Sequence, residues 1–324
     1  MNQSKCTLRY NYQTTNIPCY NNQVYLTCLA RFPIFAFRRN FALTMAITDR
    51  KQMHRTVIEP ANNWLGINIK ELWEYRELFW ILALREIQLR YRQTILGVTW
   101  VVIQPLITTV LFTLIFGQLL NAPSENVSYS LFAFAGLLPW NIFSQSLQRA
   151  GVSLTREIRL ITKIFFPRII IPMASAASTL IDFLVSLVIM IILLYFFNIP
   201  ISTHIFAIPI LLCINLMLSI GVGIAFAALN VYYRDFTYVL PFVIQVWMYA
   251  SPLAYSSKLI PPTWSWIYDL NPMVGVIDGF RWALFGTIDF PVHSLLYSLA
   301  IGTLVLLVGL VIFRRLERSF ADVI

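Results

Sequence analysis

Apolar residues run through this chain in six long blocks, near residues 96–120, 129–149, 169–197, 205–230, 237–256 and 293–313. A helix that crosses a bilayer needs about 20 consecutive apolar residues. The pattern therefore predicts an all-α membrane protein with six transmembrane helices. Pro105, Pro139, Pro172 and Pro241 fall inside these blocks or at their ends; proline is tolerated there because neighbouring helices satisfy the freed carbonyls. The third block is long enough for a tilted span. Its Ala174-Ser-Ala-Ala-Ser178 stretch is a small-residue face of the kind that lets helices approach closely in lipid.

Two segments break the pattern. Residues 70–94 mix charge with large apolar side chains. Leu78, Ile81, Leu82 and Arg85 follow helical spacing, and Glu86 stands four residues before Arg90. This predicts an amphipathic helix lying in the membrane interface, with Trp73, Trp80 and Tyr91 as headgroup anchors. The second segment, Pro261 to Asp289, is too polar and too interrupted by proline and glycine to form a seventh span. It reads as two short helices dipping into the outer leaflet. Such helices persist only when buried against protein or lining a watery path.

Basic residues set the orientation. Residues 76–95, 149–168, 231–236 and 314–324 carry thirteen Lys and Arg, against two, Lys258 and Arg281, in the alternate loops. Positive loops stay in the cytoplasm, so both termini are expected there, as an even number of spans also requires. The net charge of +9 is thereby accounted for by cytoplasmic loops, and nucleic acid is not an expected partner. Hydrophobic residues make up 58% of the chain and charged ones 12%. A soluble domain is nearer a quarter charged, so bilayer is the natural solvent.

The first 44 residues are rich in Asn, Thr and Tyr and contain no acidic residue before Asp49. They lack the apolar core and cleavage site of a secretory signal. Residues 1–56 are read as a disordered tail, or as the product of an upstream start codon with Met45 the true start. Residues 57–95 form the interface-helix region, 96–313 the membrane domain and 314–324 a cytoplasmic tail. Of the four cysteines, Cys213 sits in an apolar run, where packing is the usual role, and none forms a C-x-x-C pair, so no zinc site or disulfide framework is expected.

Catalytic chemistry is scarce. The chain has no G-x-x-x-x-G-K-[ST] phosphate loop, no H-E-x-x-H and no G-x-S-x-G, so it does not hold ATP by the first device and offers no familiar hydrolytic motif. Asp182 lies near the middle of the third block. A carboxylate in that position is costly and should face the bundle or a cavity, as a channel or gating residue or as a structural hydrogen-bond partner. The loop Thr155–Arg168 is short and basic, and Ile158, Ile161, Ile164 and Phe165 could form one apolar face, which suits a docking surface or a helix on the lipid surface.

A resemblance adds to this. Leu84-Arg-Glu-Ile-Gln-Leu-Arg-Tyr-Arg-Gln-Thr-Ile-Leu-Gly-Val-Thr-Trp100 followed by Gln104-Pro-Leu106 resembles the entry to the membrane subunit of polysaccharide-exporting ABC transporters. Gly136-Leu-Leu-Pro-Trp140, Leu160–Arg168, Asn230-Val-Tyr-Tyr-Arg-Asp235, Ser251-Pro-Leu253, Leu270–Arg281 and Phe313–Ile324 follow in the family's order. The likeness spans about residues 57–324, and it is the ordered set that carries it. It implies a non-enzymatic permease subunit, working as a homodimer in the bacterial inner membrane. The cargo would be O-antigen, a capsular glycan or another lipid-linked glycan. Two cytoplasmic ATPase subunits would hold ATP and Mg, leaving no cofactor on this chain. An exporter of teichoic acid, lipid or drug is the alternative, and a membrane glycosyltransferase a more distant one. Carried over, Arg85, Glu86 and Arg90 on the interface helix and Ile158, Ile161 and Lys163 in the loop would dock the ATPase. The outer helices, about 262–286, would form a periplasmic gate. Asp182, Trp247, Tyr249, Tyr255, Asp278, Arg281 and Trp282 are the candidates for channel or gate, the aromatic ones as stacking surfaces for sugars; Trp264 is read as an interfacial anchor.

Overall fold

Apolar blocks of this length become helices because a backbone in lipid must satisfy its own hydrogen bonds, and a computed structural model of the chain is helical accordingly. It describes residues 9–10, 13–14, 69–91, 97–124, 127–200, 202–286 and 290–320. The chain divides into two units, residues 1–60 and 61–324. In the first, two strands, β1 (Arg9–Tyr10) and β2 (Gln13–Thr14), pair antiparallel. The rest of the tail expected over residues 1–56, Met45 included, lies outside the described residues.

The second unit opens with α1 (Ile69–Glu74) and α2 (Arg76–Tyr91), the predicted interface helix. Then follow α3 (Gly97–Phe112), which widens into a π-helical end over Thr113–Leu119, and α4 (Tyr129–Arg156). A single turn, α5 (Ile158–Ile161), lies in the basic loop. Helices α6 (Ile170–Ala177) and α7 (Leu180–Phe196) together fill the third block. Helix α8 (Ile208–Tyr232) enters through a 3-10 turn, and α9 (Phe236–Tyr249) follows. The segment between the fifth and sixth blocks forms two short helices, α10 (Pro262–Asp269) and α11 (Pro272–Phe285), before the final α12 (Val292–Glu317).

Four helical stretches are long and apolar enough to cross a membrane: Thr99–Leu119, Ile170–Phe196, Thr203–Tyr232 and Val292–Glu317. The other two expected spans differ for separate reasons. Helix α4 has 28 residues and, at 1.5 Å per residue, is about 42 Å long, so length does not limit it. Its middle carries Asn141, Ser144, Gln145, Ser146, Gln148 and Arg149. Those polar groups are tolerable because α4 is the central post of the bundle, buried along most of its length. Helix α9 is apolar but has only 14 residues, about 21 Å; the block continues as the irregular stretch 250–256, where Ser251, Pro252, Leu253 and Ala254 are buried.

The core has two ends. At one, Leu82 and Ala83 of α2 pack with Leu154, Ile161, Ile169, Ile170, Ala227, Phe313 and Phe320. At the other, α11 is buried along its whole length except at Trp282. Helix α12 joins the two ends. The α2 face that turns inward is Leu82 and Ala83, with Leu78 and Phe79 partly covered, while Ile81 and Leu84 stay exposed. Trp73 and Trp80 are exposed, as anchors would be; the Tyr91 side chain lies outside the described residues. Cys213, expected in packing, lies on the exposed side of α8.

Candidate functional site

The residues singled out by sequence fall into two sets, one at each end. At the α2 end, Arg85 makes a bidentate ion pair with Glu157, Nη1 to Oε2 at 3.1 Å and Nη2 to Oε1 at 2.9 Å. Glu157 stands between α4 and α5, so the interface helix is fastened to the corner of the basic loop. Arg90 points the other way, into the bundle, where Nη1 donates to Asp182 Oδ2. Glu86, four residues before it, is half-buried. In the loop, Ile161 turns into the core, whereas Lys163, Ile164 and Phe165 are exposed and Ile158 is half-buried. A cavity of about 320 Å³ opens beside Ile158, lined also by Thr155, Asn230, Arg234 and Thr237.

Asp182 is 5% exposed. Besides Arg90 it accepts from Arg149 Nη2 of α4 at 3.1 Å. Arg149 is held in turn by Gln145 Oε1 at 3.1 Å and Ser178 Oγ at 3.0 Å. Ser146 and Thr179 hydroxyls meet at 2.6 Å alongside. A buried charge is tolerable when paired and hydrogen-bonded, and Asp182 is both. The cluster borders a cavity of about 40 Å³ lined by Gln104, Asn141, Gln145, Thr179 and Ser186 among others, room for a few waters with several polar partners each.

At the far end, Arg281 is 1% exposed. Its guanidinium lies 3.7 Å from the Phe132 ring centroid, donates Nη2 to the Leu253 carbonyl at 3.0 Å, and faces Asp278 Oδ1 at 3.4 Å. Gly136 makes space for it, since a Cβ there would stand 2.9 Å from Nη2. Tyr129 Oη donates to the Ala254 carbonyl at 2.6 Å. Asn271 is the second hub. Its Oδ1 accepts from the Met273 amide at 3.1 Å, capping α11, and from Trp247 Nε1 at 2.8 Å; its Nδ2 donates to the Ala250 carbonyl at 2.9 Å. Sequence reasoning assigned Asn271 no role. The signal was present: Asn directly before Pro272 is a helix N-cap followed by proline at the first helical position.

The aromatic candidates are differently placed. Trp247 packs edge-on to Phe143 and is held by Asn271. Tyr249, Trp264 and Trp266 are exposed. Tyr255 receives the Tyr268 hydroxyl at 3.2 Å; burial above all, then that hydrogen bond, raises the Tyr268 pKa, so it stays a neutral phenol. Trp282 stacks on His204 with ring centroids 4.4 Å apart and touches Phe290. The charged candidates Asp278 and Arg281 thus fix the α11 end internally, and Tyr249 offers an open ring.

Comparison with known proteins fits this arrangement. Residues 77–285 match the model of the ABC-2 type transporter family, and the chain belongs to that family. It is 29% identical over 251 residues to the O-antigen export system permease protein RfbA of Klebsiella pneumoniae, covering 76% of this chain and 95% of that one. It is 29% identical over 257 residues to RfbA of Myxococcus xanthus, covering 78% and 98%. To the polysialic acid transport protein KpsM of Escherichia coli it is 28% identical over 248 residues, covering 74% and 93%.

Proposed function

We propose that this chain is the permease of an exporter that moves a lipid-linked polysaccharide, O-antigen or a capsular or similar glycan, across the bacterial inner membrane. Two copies form the pathway, and two separate cytoplasmic ATPase subunits supply the energy and hold the ATP and Mg. The chain itself carries out no reaction. The observation that carries the reading is that relatives named for O-antigen export and for polysialic acid transport match over at least 93% of their own length.

The geometry supports it. The six-span topology, with both ends in the cytoplasm, uses α4 as a polar span shielded by its neighbours and α9 as a short span completed by residues 250–256. Arg85, Glu86, Lys163 and the exposed Phe165 then face the cytoplasm, where an ATPase would dock. Helices α10 and α11 lie at the periplasmic end as a gate, braced by Asn271 and Arg281. Rigid-body motion of the docked ends would rock the two permeases against each other. The aromatic surfaces at the gate end suit a cargo that must enter and also leave.

The test is co-expression with each ABC ATPase subunit of the same organism that lacks membrane spans of its own. The chain and one such ATPase should purify as one complex that hydrolyses ATP and, in lipid vesicles, moves a lipid-linked glycan. A chain that never associates with an ATPase sinks the reading.

A further inference from the structure

Three elements meet at one carboxylate. Asp182 on α7 receives Arg90 from α2 and Arg149 from α4, and its side chain is 7% exposed. The residues at the two ends of the Arg90 pair are separated by 92 positions in sequence. From this geometry we infer that Asp182 is a positioning residue for transport. It is the joint through which displacement of α2 reaches the membrane-spanning core. The inference rests on the exporter reading above.

The argument turns on which contacts of α2 can transmit a force in a fixed direction. Among the described residues, three kinds of contact join helix α2 to the core. Its apolar contacts, Leu82 and Ala83 against Ile169–Ile171 and neighbours, are non-directional and allow small sliding. Its ion pair with Glu157 joins side chains that are 45% and 17% exposed, against 33% and 7% for Arg90 and Asp182. An exposed pair is screened and worth about 0–1 kcal/mol, so it yields under load. The Arg90–Asp182 contact is different. Separating it takes a guanidinium from a carboxylate whose own side chain is 7% exposed, and removing a partner from a buried charge costs more than breaking an exposed pair. Arg149 extends the joint to α4, and Glu157 caps the C-terminal end of the same helix. A shift of α2 therefore carries α4 and α7 with it, and α4 in turn bears Phe132 and Gly136, the seat of Arg281 at the other end.

The cavity beside Asp182 supplies what a moving joint needs. Gln104, Asn141, Gln145, Thr179 and Ser186 line it, so the charges keep polar partners through a displacement of an ångström or two. A dry apolar wall would lock the pair instead.

The test measures glycan moved per ATP hydrolysed in the reconstituted complex. Loss of folded complex lowers both quantities together and leaves the ratio alone, so the ratio reads coupling. Asp182→Asn should lower it about tenfold, within the usual range of coupling between sites, and Asp182→Glu should recover part of the loss. Arg90→Met removes only the α2 side and leaves Asp182 paired with Arg149, so it decides the matter if Asp182→Asn does not assemble; it too should lower the ratio. An unchanged ratio in Arg90→Met, or in an assembled Asp182→Asn, overturns the inference. If the unaltered complex hydrolyses ATP and moves no glycan, the exporter reading fails instead.

Discussion

Gly309 of α12 sits directly on the backbone carbonyl of Gly221 of α8, with no room for a methyl group between them. A Cβ on Gly221 would in turn stand 2.7 Å from Leu306 Cα. Small residues give helices in lipid their closest approach and most of their dispersion energy. Overpacking costs about 1–3 kcal/mol or more when backbone must move. Gly309→Ala should therefore lower the thermal midpoint of the detergent-solubilised protein by several degrees. Gly302→Ala, where the nearest atom is the flexible tip of Met217 at 3.1 Å, should leave it nearly unchanged. Equal effects would mean that close approach is not what joins α8 to α12.

Arg281 anchors α11 by a carbonyl, a carboxylate and an aromatic face. Arg281→Met keeps the length and loses the donors, leaving Asp278 and the Leu253 carbonyl buried. A loss of about 3 kcal/mol is expected from breaking such a buried pair. Arg281→Lys should not restore stability, because one ammonium cannot reproduce the planar stack over Phe132 together with the Leu253 bond. Thermal unfolding of both variants checks this; full stability in the Lys variant would refute it.

Asn271 separates into two functions by substitution. Asn271→Asp keeps the acceptor for the Met273 amide and Trp247 but loses the donor to Ala250. Asn271→Ala loses all of them. A cap contributes about 1 kcal/mol and each unsatisfied buried partner about 1–3 kcal/mol. The Ala variant should be the less stable, and tryptophan fluorescence of Trp247 should shift only there. The reverse order would show that the bonds accepted by Asn271 Oδ1 do not hold this end together.

Topology is open to labelling. Residue 275 is unsuitable, because Gly275 lies against the Ser294 carbonyl. Trp266 on α10 is 65% exposed. In a chain whose four cysteines are replaced, Trp266→Cys should react with a membrane-impermeant maleimide from the periplasm and Lys163→Cys only from the cytoplasm. The opposite pattern would invert the orientation.

Much of this was legible in residue pattern. The helix that precedes the first block, the two short helices over 262–285 and four of the six expected spans follow from block length and from proline and glycine punctuation. Periodicity does not reveal what covers a helix, however. The polar middle of α4 is intelligible only once Asn215 is seen donating to the Pro139 carbonyl and Arg149 to Asp182. Ile161 reads as part of an exposed face until α2 packs over it. Asp182 stood out as costly, but its partners lie 33 and 92 residues away, and pairing at that range is set by tertiary packing.

The central claim is that this chain exports a lipid-linked glycan. Deleting its gene and assaying surface polysaccharide, with glycan inside the cell measured in parallel, tests it most directly. Surface glycan should disappear, with lipid-linked glycan accumulating on the cytoplasmic side, and a plasmid copy should reverse both. Normal surface glycan in the deletion strain would contradict the account.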